Sequence, residues 1–152
     1  MRVEKQGEFE CMLATIAALA DTSLSDVRTR ACQLAGIDQW RQIEGTARYW
    51  SAVDKLISEY KVLGVPTGQE YPRRYSPPSS DTNWKLPAVG KGSVAFQYTN
   101  TPTTHICPFE DGLVYDPSYP SHPRTLAKAL LHLGKHWRVI GIWVAEDSVT
   151  EL

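Results

Sequence analysis

Residues 6–20, QGEFECMLATIAALA, decide how this chain is read. A short polar lead-in ends in a cysteine, and Cys11 opens an alanine-rich apolar run of good helix formers. The run predicts a buried helix over residues 11–20. Cys11 then sits in the first turn, where free backbone N–H groups and the helix dipole favour negative charge. A thiol so placed is biased toward thiolate, its nucleophilic form. Gln6, five residues upstream, carries an amide donor able to point at the same spot. A nucleophile with a donor beside it is half of an acyl-transfer site. The plainer alternative is that Cys11 only fills the core, as most free cysteines do.

Bulk properties narrow the classes. A chain of 152 residues is expected to form one domain with a core that needs no staples. With 16 Lys and Arg against 17 Asp and Glu, no basic excess exists to neutralise phosphates. A nucleic-acid or anionic-membrane partner is therefore not expected. Cysteines at 11, 32 and 107 form no disulfide framework, which points to reduced thiols and a cytoplasmic setting. Residues 11–20 have the length of a signal-peptide core, but Glu4, Glu8 and Glu10 outnumber Arg2 and Lys5 in the flank that would need to be positive. No other apolar run approaches membrane-spanning length. An active site so near Met1 suggests a chain that works without a removable pro-segment, or one itself cut from something larger.

Outward from the opening helix, Ser23 with Asp26 reads as the cap of a second helix, ended by Gly36. A third runs from about Thr46 to Lys61, with Tyr49, Val53, Leu56, Ile57 and Tyr60 facing inward. These make a helical half over about residues 1–65. Residues 66–92 carry five prolines among Tyr71, Tyr75 and Trp84, and read as a long loop, either a substrate-facing wall or a plain connection. Residues 93–152 read as the sheet half. Residues 93–99 alternate as a half-buried strand, a hairpin turns at Asp111-Gly112, a helix spans residues 122–133 with Pro123 in its first turn, and residues 137–145 are apolar enough for an interior strand. Helices followed by mostly antiparallel strands define an α+β arrangement, a helical layer packed on a sheet.

The hairpin brings the rest of a site. With Asp111 and Gly112 as the two loop residues, Glu110 faces Leu113 and Cys107 faces Asp116. His105 shares the face of Cys107 and becomes the diagonal neighbour of Asp116, roughly 7–8 Å away at the backbone. An imidazole and a carboxylate bridge that gap. Histidine can take a thiol's proton and return it to a leaving amine, and an aspartate on its other nitrogen fixes tautomer and orientation. The competing reading is an ordinary ion pair on a surface hairpin. The same residues, Cys11, His105, Cys107 and Asp116, also suit zinc, but no Cys-x-x-Cys or His-x-x-x-His spacing accompanies them, and no metal or cofactor is expected. His122, His132 and His136 read as helix-end and surface residues, and Cys32 as structural filler.

Gln6, then Cys-x-x-Ala (Cys11 and Ala14) opening an apolar helix, then His-Ile-Cys at 105–107, the Asp-Gly turn and Val-Tyr-Asp-Pro at 114–117 resemble papain-like cysteine peptidases. The likeness is nearest to the small bacterial double-glycine leader peptidases that process bacteriocins. It implies a papain-like fold with Cys11 as nucleophile, His105 as base and acid, Asp116 as orienting residue and Gln6 in the oxyanion hole. The expected activity is hydrolysis of a peptide or isopeptide amide in a peptide or protein substrate. Thiol deamidation or acyl transfer uses the same intermediate. Met12 directly after the cysteine and the five-residue Gln6 gap depart from the family pattern. They suit the alternative, a non-catalytic binding module or inhibitor on the same fold.

Overall fold

The computed structural model describes residues 1–69, 84–101 and 103–145. Among these it is a mixed α+β fold with four α-helices, one 3-10 turn and a four-stranded antiparallel sheet. Helix α1 is Cys11–Ala20, α2 is Leu24–Ala35 and α3 is Ala47–Tyr60, with the 3-10 turn at Trp40–Ile43. The strands are β1 (Lys91–Tyr98), β2 (Thr104–Glu110), β3 (Leu113–Val114) and β4 (Trp137–Val144), with α4 (Leu126–Leu133) preceding the last. No helix among the described residues is long and apolar enough to cross a membrane.

The helical half follows local rules. All of α1 from Met12 to Leu19 is buried, as an apolar run with no polar face requires. Ser23 caps α2 by accepting from the Asp26 N–H, and Gly36 closes it in the left-handed conformation. Leu13, Ile16, Val27, Trp40, Val53 and Leu56 lie in one apolar cluster, to which β2 contributes Ile106. The Thr15 hydroxyl, fully buried, donates to the Cys11 carbonyl at 2.7 Å and lies 3.5 Å from the Ile106 carbonyl, fastening α1 along β2.

The sheet order is β3-β2-β1-β4. The hairpin register is the one the Asp-Gly turn predicts, Glu110 opposite Leu113 and Phe109 opposite Val114. Asp111 and Gly112 both take positive φ, 51° and 80°, so the second position suits glycine. Three expectations are corrected. Strand β1 is not half-buried: Gly92 to Gln97 are all buried, because β2 and β4 flank it and both faces are covered. Strand β4 is not interior: it pairs with β1 and forms the edge of the described sheet, with most of its residues only half-buried. Helix α4 starts at Leu126, not at 122, because the Arg124 backbone is held by β3 through two hydrogen bonds with Val114 and the helix waits for its Thr125 cap. Of the Pro-rich loop, residues 70–83 lie outside the described residues, and with them the expected wall.

A second apolar cluster, on the Cys107 face of β2, gathers Val94, Phe96, Cys107, Val114, Ala129 and Val139. Ile106 thus belongs to the helical cluster and its neighbour Cys107 to the other, as alternation along a strand demands. β2 is the seam between the two halves, and His105 is its second residue.

Candidate active site

Cys11 is the first residue of α1 and is half-buried, so its N–H is one of the four that a helix leaves without an intrahelical acceptor. Two residues ahead of that helix the chain makes an unusual bend. Phe9 adopts positive φ (60°), a conformation costly for a bulky residue, by about 1–3 kcal/mol. Its ring is half exposed in the same cleft as Cys11.

The bend is locked from inside. Glu10, 6% exposed, turns its carboxylate back to accept from the Gly7 N–H at 2.7 Å. Arg28 of α2 grips the same carboxylate with two donors, one at 2.8 Å and the other through Nε. Burial works to raise the Glu10 pKa, but the Arg28 hydrogen bond, the Gly7 N–H and the Arg28 charge outweigh it and hold the carboxyl below its ordinary value. A Cβ at Gly7 would come within 2.6 Å of Glu10 Oε1, so a side chain there would push the carboxylate from its place. Gln6, one residue earlier, donates its backbone N–H to the Pro117 carbonyl at 2.9 Å. The segment before Cys11 is therefore tied to the segment after Asp116.

His105 and Asp116 meet as expected, although β3 ends at Val114 and Asp116 stands two residues beyond it. Nε2 of His105 lies 2.8 Å from Oδ1 of Asp116, and the same oxygen accepts from the Ser118 N–H at 2.8 Å. The imidazole is 14% exposed and Asp116 is buried. For Asp116, burial works to raise the pKa, but the His105 hydrogen bond and charge and the Ser118 N–H prevail and lower it. For His105, burial works to lower the pKa. The Cys107 sulfur, the Asp116 carboxylate and a hydrogen bond with Cys11 together raise it well above 6.5. With Nε2 committed to Asp116, Nδ1 is the ring nitrogen left for sulfur. Cys107 is fully enclosed, and that burial, only partly offset by His105, pushes its thiol up to about 11.

The structure thus brings Cys11, His105 and Asp116 together, with Gln6 on the same cleft. The cleft has a volume of about 810 Å³. Tyr49 and Trp50 from α3, Trp137 from β4 and Tyr119 after Asp116 supply its broad surfaces. Glu44 stands exposed at its rim, where partial enclosure by protein raises its carboxyl pKa. The Gln6 amide is the one predicted residue not yet aimed at the thiol. Its Nε2 donates to the Gly7 carbonyl at 3.2 Å, and its Oε1 is buried with no partner. His122 and His136 stay outside the cleft, whereas His132 lines it beside Tyr119.

Fold and site together define an α+β protein carrying a thiol, an imidazole and a carboxylate at the wall of one cleft. Comparison with known proteins finds no matching family model, no matching curated protein and no matching solved structure.

Proposed function

We propose that the chain is a thiol hydrolase on a papain-like fold, cleaving an amide bond in a peptide or protein. The observation that carries this reading is the position of His105, bonded through Nε2 to Asp116 at 2.8 Å and lining the same cleft as Cys11. A surface ion pair has no reason to adjoin the first turn of a buried helix that opens on a cysteine. The element order, helices first and then an antiparallel sheet with the cleft walled by both, supports the fold assignment.

The chemistry follows from the contacts. His105 accepts the Cys11 proton, and the sulfur attacks the substrate carbonyl carbon. The resulting oxyanion is held by the Cys11 N–H and by the Gln6 amide once it turns from Gly7. His105 returns the proton to the amine as the carbon–nitrogen bond breaks, leaving a thioester. Water then gives a proton to His105 and attacks the thioester, which releases the acid and restores the thiol. A different nucleophile at this last step makes the same site an acyltransferase. No metal or cofactor enters. Three free cysteines among the described residues suit a reducing, cytoplasmic compartment.

One observation favours the non-catalytic alternative, a binding module or inhibitor. The Gln6 donor is engaged with its own backbone and not with the thiol region. Incubation with a panel of peptide and isopeptide amides, followed by intact-mass measurement, separates the two. The hydrolase reading expects cleavage that stops in Cys11→Ala, and a thioester adduct on Cys11 that accumulates when water attack is slow. Binding of the panel without cleavage, unchanged in Cys11→Ala, supports the module.

A further inference from the structure

Cys107 has no part in the hydrolytic cycle, yet its buried sulfur stands close to His105 and Asp116. Ligand atoms of His105, Cys107 and Asp116 all lie within 4.8 Å of one another. Tetrahedral zinc, with Zn–S about 2.3 Å and Zn–N about 2.0–2.1 Å, places one sulfur and two N/O ligand atoms roughly 3.3–3.6 Å apart. Seating the ion would part the His105–Asp116 pair, now 2.8 Å apart, by roughly half an ångström and draw the wider spacings in by up to about 1 Å. The donor set is one sulfur, one imidazole and one carboxylate, which suits zinc and not magnesium or calcium. Two of the three donors, His105 and Asp116, line the open cleft, so a cation reaches them without unfolding the core. The arrangement also leaves a fourth position, as sites with three protein ligands do.

We propose that a zinc-class divalent cation binds His105, Cys107 and Asp116, and that it withdraws the imidazole from Cys11 when it does so. Cys107 is then the residue that makes the cleft metal-sensitive. The exchange balances: the cation takes the Cys107 sulfur as thiolate and His105 as neutral imidazole, the thiol proton and the proton of any imidazolium leave to solvent, and no electron moves. His105 ligates through a lone pair that is no longer available to accept the Cys11 proton. Cation binding itself does not depend on the hydrolase reading, because it needs no amide substrate.

The test uses chelator-treated protein and two readouts. Cobalt(II), as a coloured substitute for zinc, reports thiolate ligation through a sulfur-to-metal charge-transfer band. Iodoacetamide alkylation of Cys11, followed by peptide mass, reports whether the cation withdraws the base. In the wild-type chain the cobalt band appears and zinc slows Cys11 alkylation. In Cys107→Ala the band is lost, zinc no longer slows Cys11 alkylation, and alkylation without metal is retained. Cys107→Ser, closer in volume, gives the same answer should the alanine variant not fold. Zinc protection of Cys11 that is equally strong in both Cys107 variants overturns the proposal, as does a wild-type chain with no cobalt–thiolate band. A chain that binds cobalt in this way but cleaves no amide removes the hydrolase reading and leaves the metal site standing.

Discussion

His105 is held by groups that each make a separate demand on it. Asp116 fixes Nε2, the sulfurs of Cys11 and Cys107 adjoin the ring, and strand β2 buries all but a small edge. Because Asp116 helps to raise the His105 pKa, Asp116→Asn is expected to move the alkaline limb of the pH–rate profile to lower pH and to reduce kcat. A limb that stays in place would show that Asp116 does not act on the ring. The same carboxyl makes a stability prediction. Its pKa is lowered from 3.8, so its contribution is present above that value and is lost as pH falls through the folded value. Urea unfolding of Asp116→Asn should accordingly show a weaker loss of stability on acidification than the wild type. Gln6→Ala is expected to lower kcat by about 10²-fold with KM little changed, the signature of a lost oxyanion donor. A change confined to KM would assign Gln6 to ground-state binding. The His105–Asp116 pair was legible in the sequence because one Asp-Gly turn fixes a two-residue loop and hence the register. Glu10 was not: a charged residue in a polar lead-in gives no sign that it folds inward onto Gly7.

The loop before α1 acts as one element with the loop after β3. Arg28, Glu10, Gly7, Gln6 and Pro117 are linked in a chain of contacts from the second helix to the site. Arg28→Ala would leave the Glu10 carboxylate buried with one partner fewer, at a cost of about 1–3 kcal/mol after allowing for the half-exposed arginine. Chemical denaturation measures that loss, and Arg28→Lys should recover only part of it because a lysine cannot bond both oxygens as a fork. No loss at all would mean that Glu10 is not what holds the bend. Helix α1 and the hairpin were readable because each rests on a local signal, an apolar run in one case and a turn dipeptide in the other. The place of β4 was not, since an apolar strand at an edge and one in the middle share a composition. The start of α4 was missed for a related reason: Pro123 suits a first helical turn, but backbone pairing of Arg124 with Val114 is a long-range event that no local pattern announces.

Across the whole molecule, two apolar clusters meet at β2, one centred on the helices and one on the Cys107 face of the sheet. A shared strand implies cooperative unfolding. Leu56→Ala in the first cluster should cost about 2–5 kcal/mol and Phe96→Ala in the second about 3–5 kcal/mol, each by leaving a cavity at a fully buried site. Both losses should appear in one transition seen alike by tryptophan fluorescence and far-UV circular dichroism. Two separated transitions would show that the halves fold independently and that the cleft between them is not fixed by the core. The central claim is that this core delivers the Cys11 sulfur to the His105 imidazole. Rates of Cys11 and Cys32 alkylation, measured against pH in the wild type and in His105→Ala, test it most directly. The account predicts that Cys11 reacts faster than Cys32 near neutral pH and that His105→Ala abolishes the difference. Equal rates in the wild type, or a Cys11 advantage that survives the loss of His105, would contradict it.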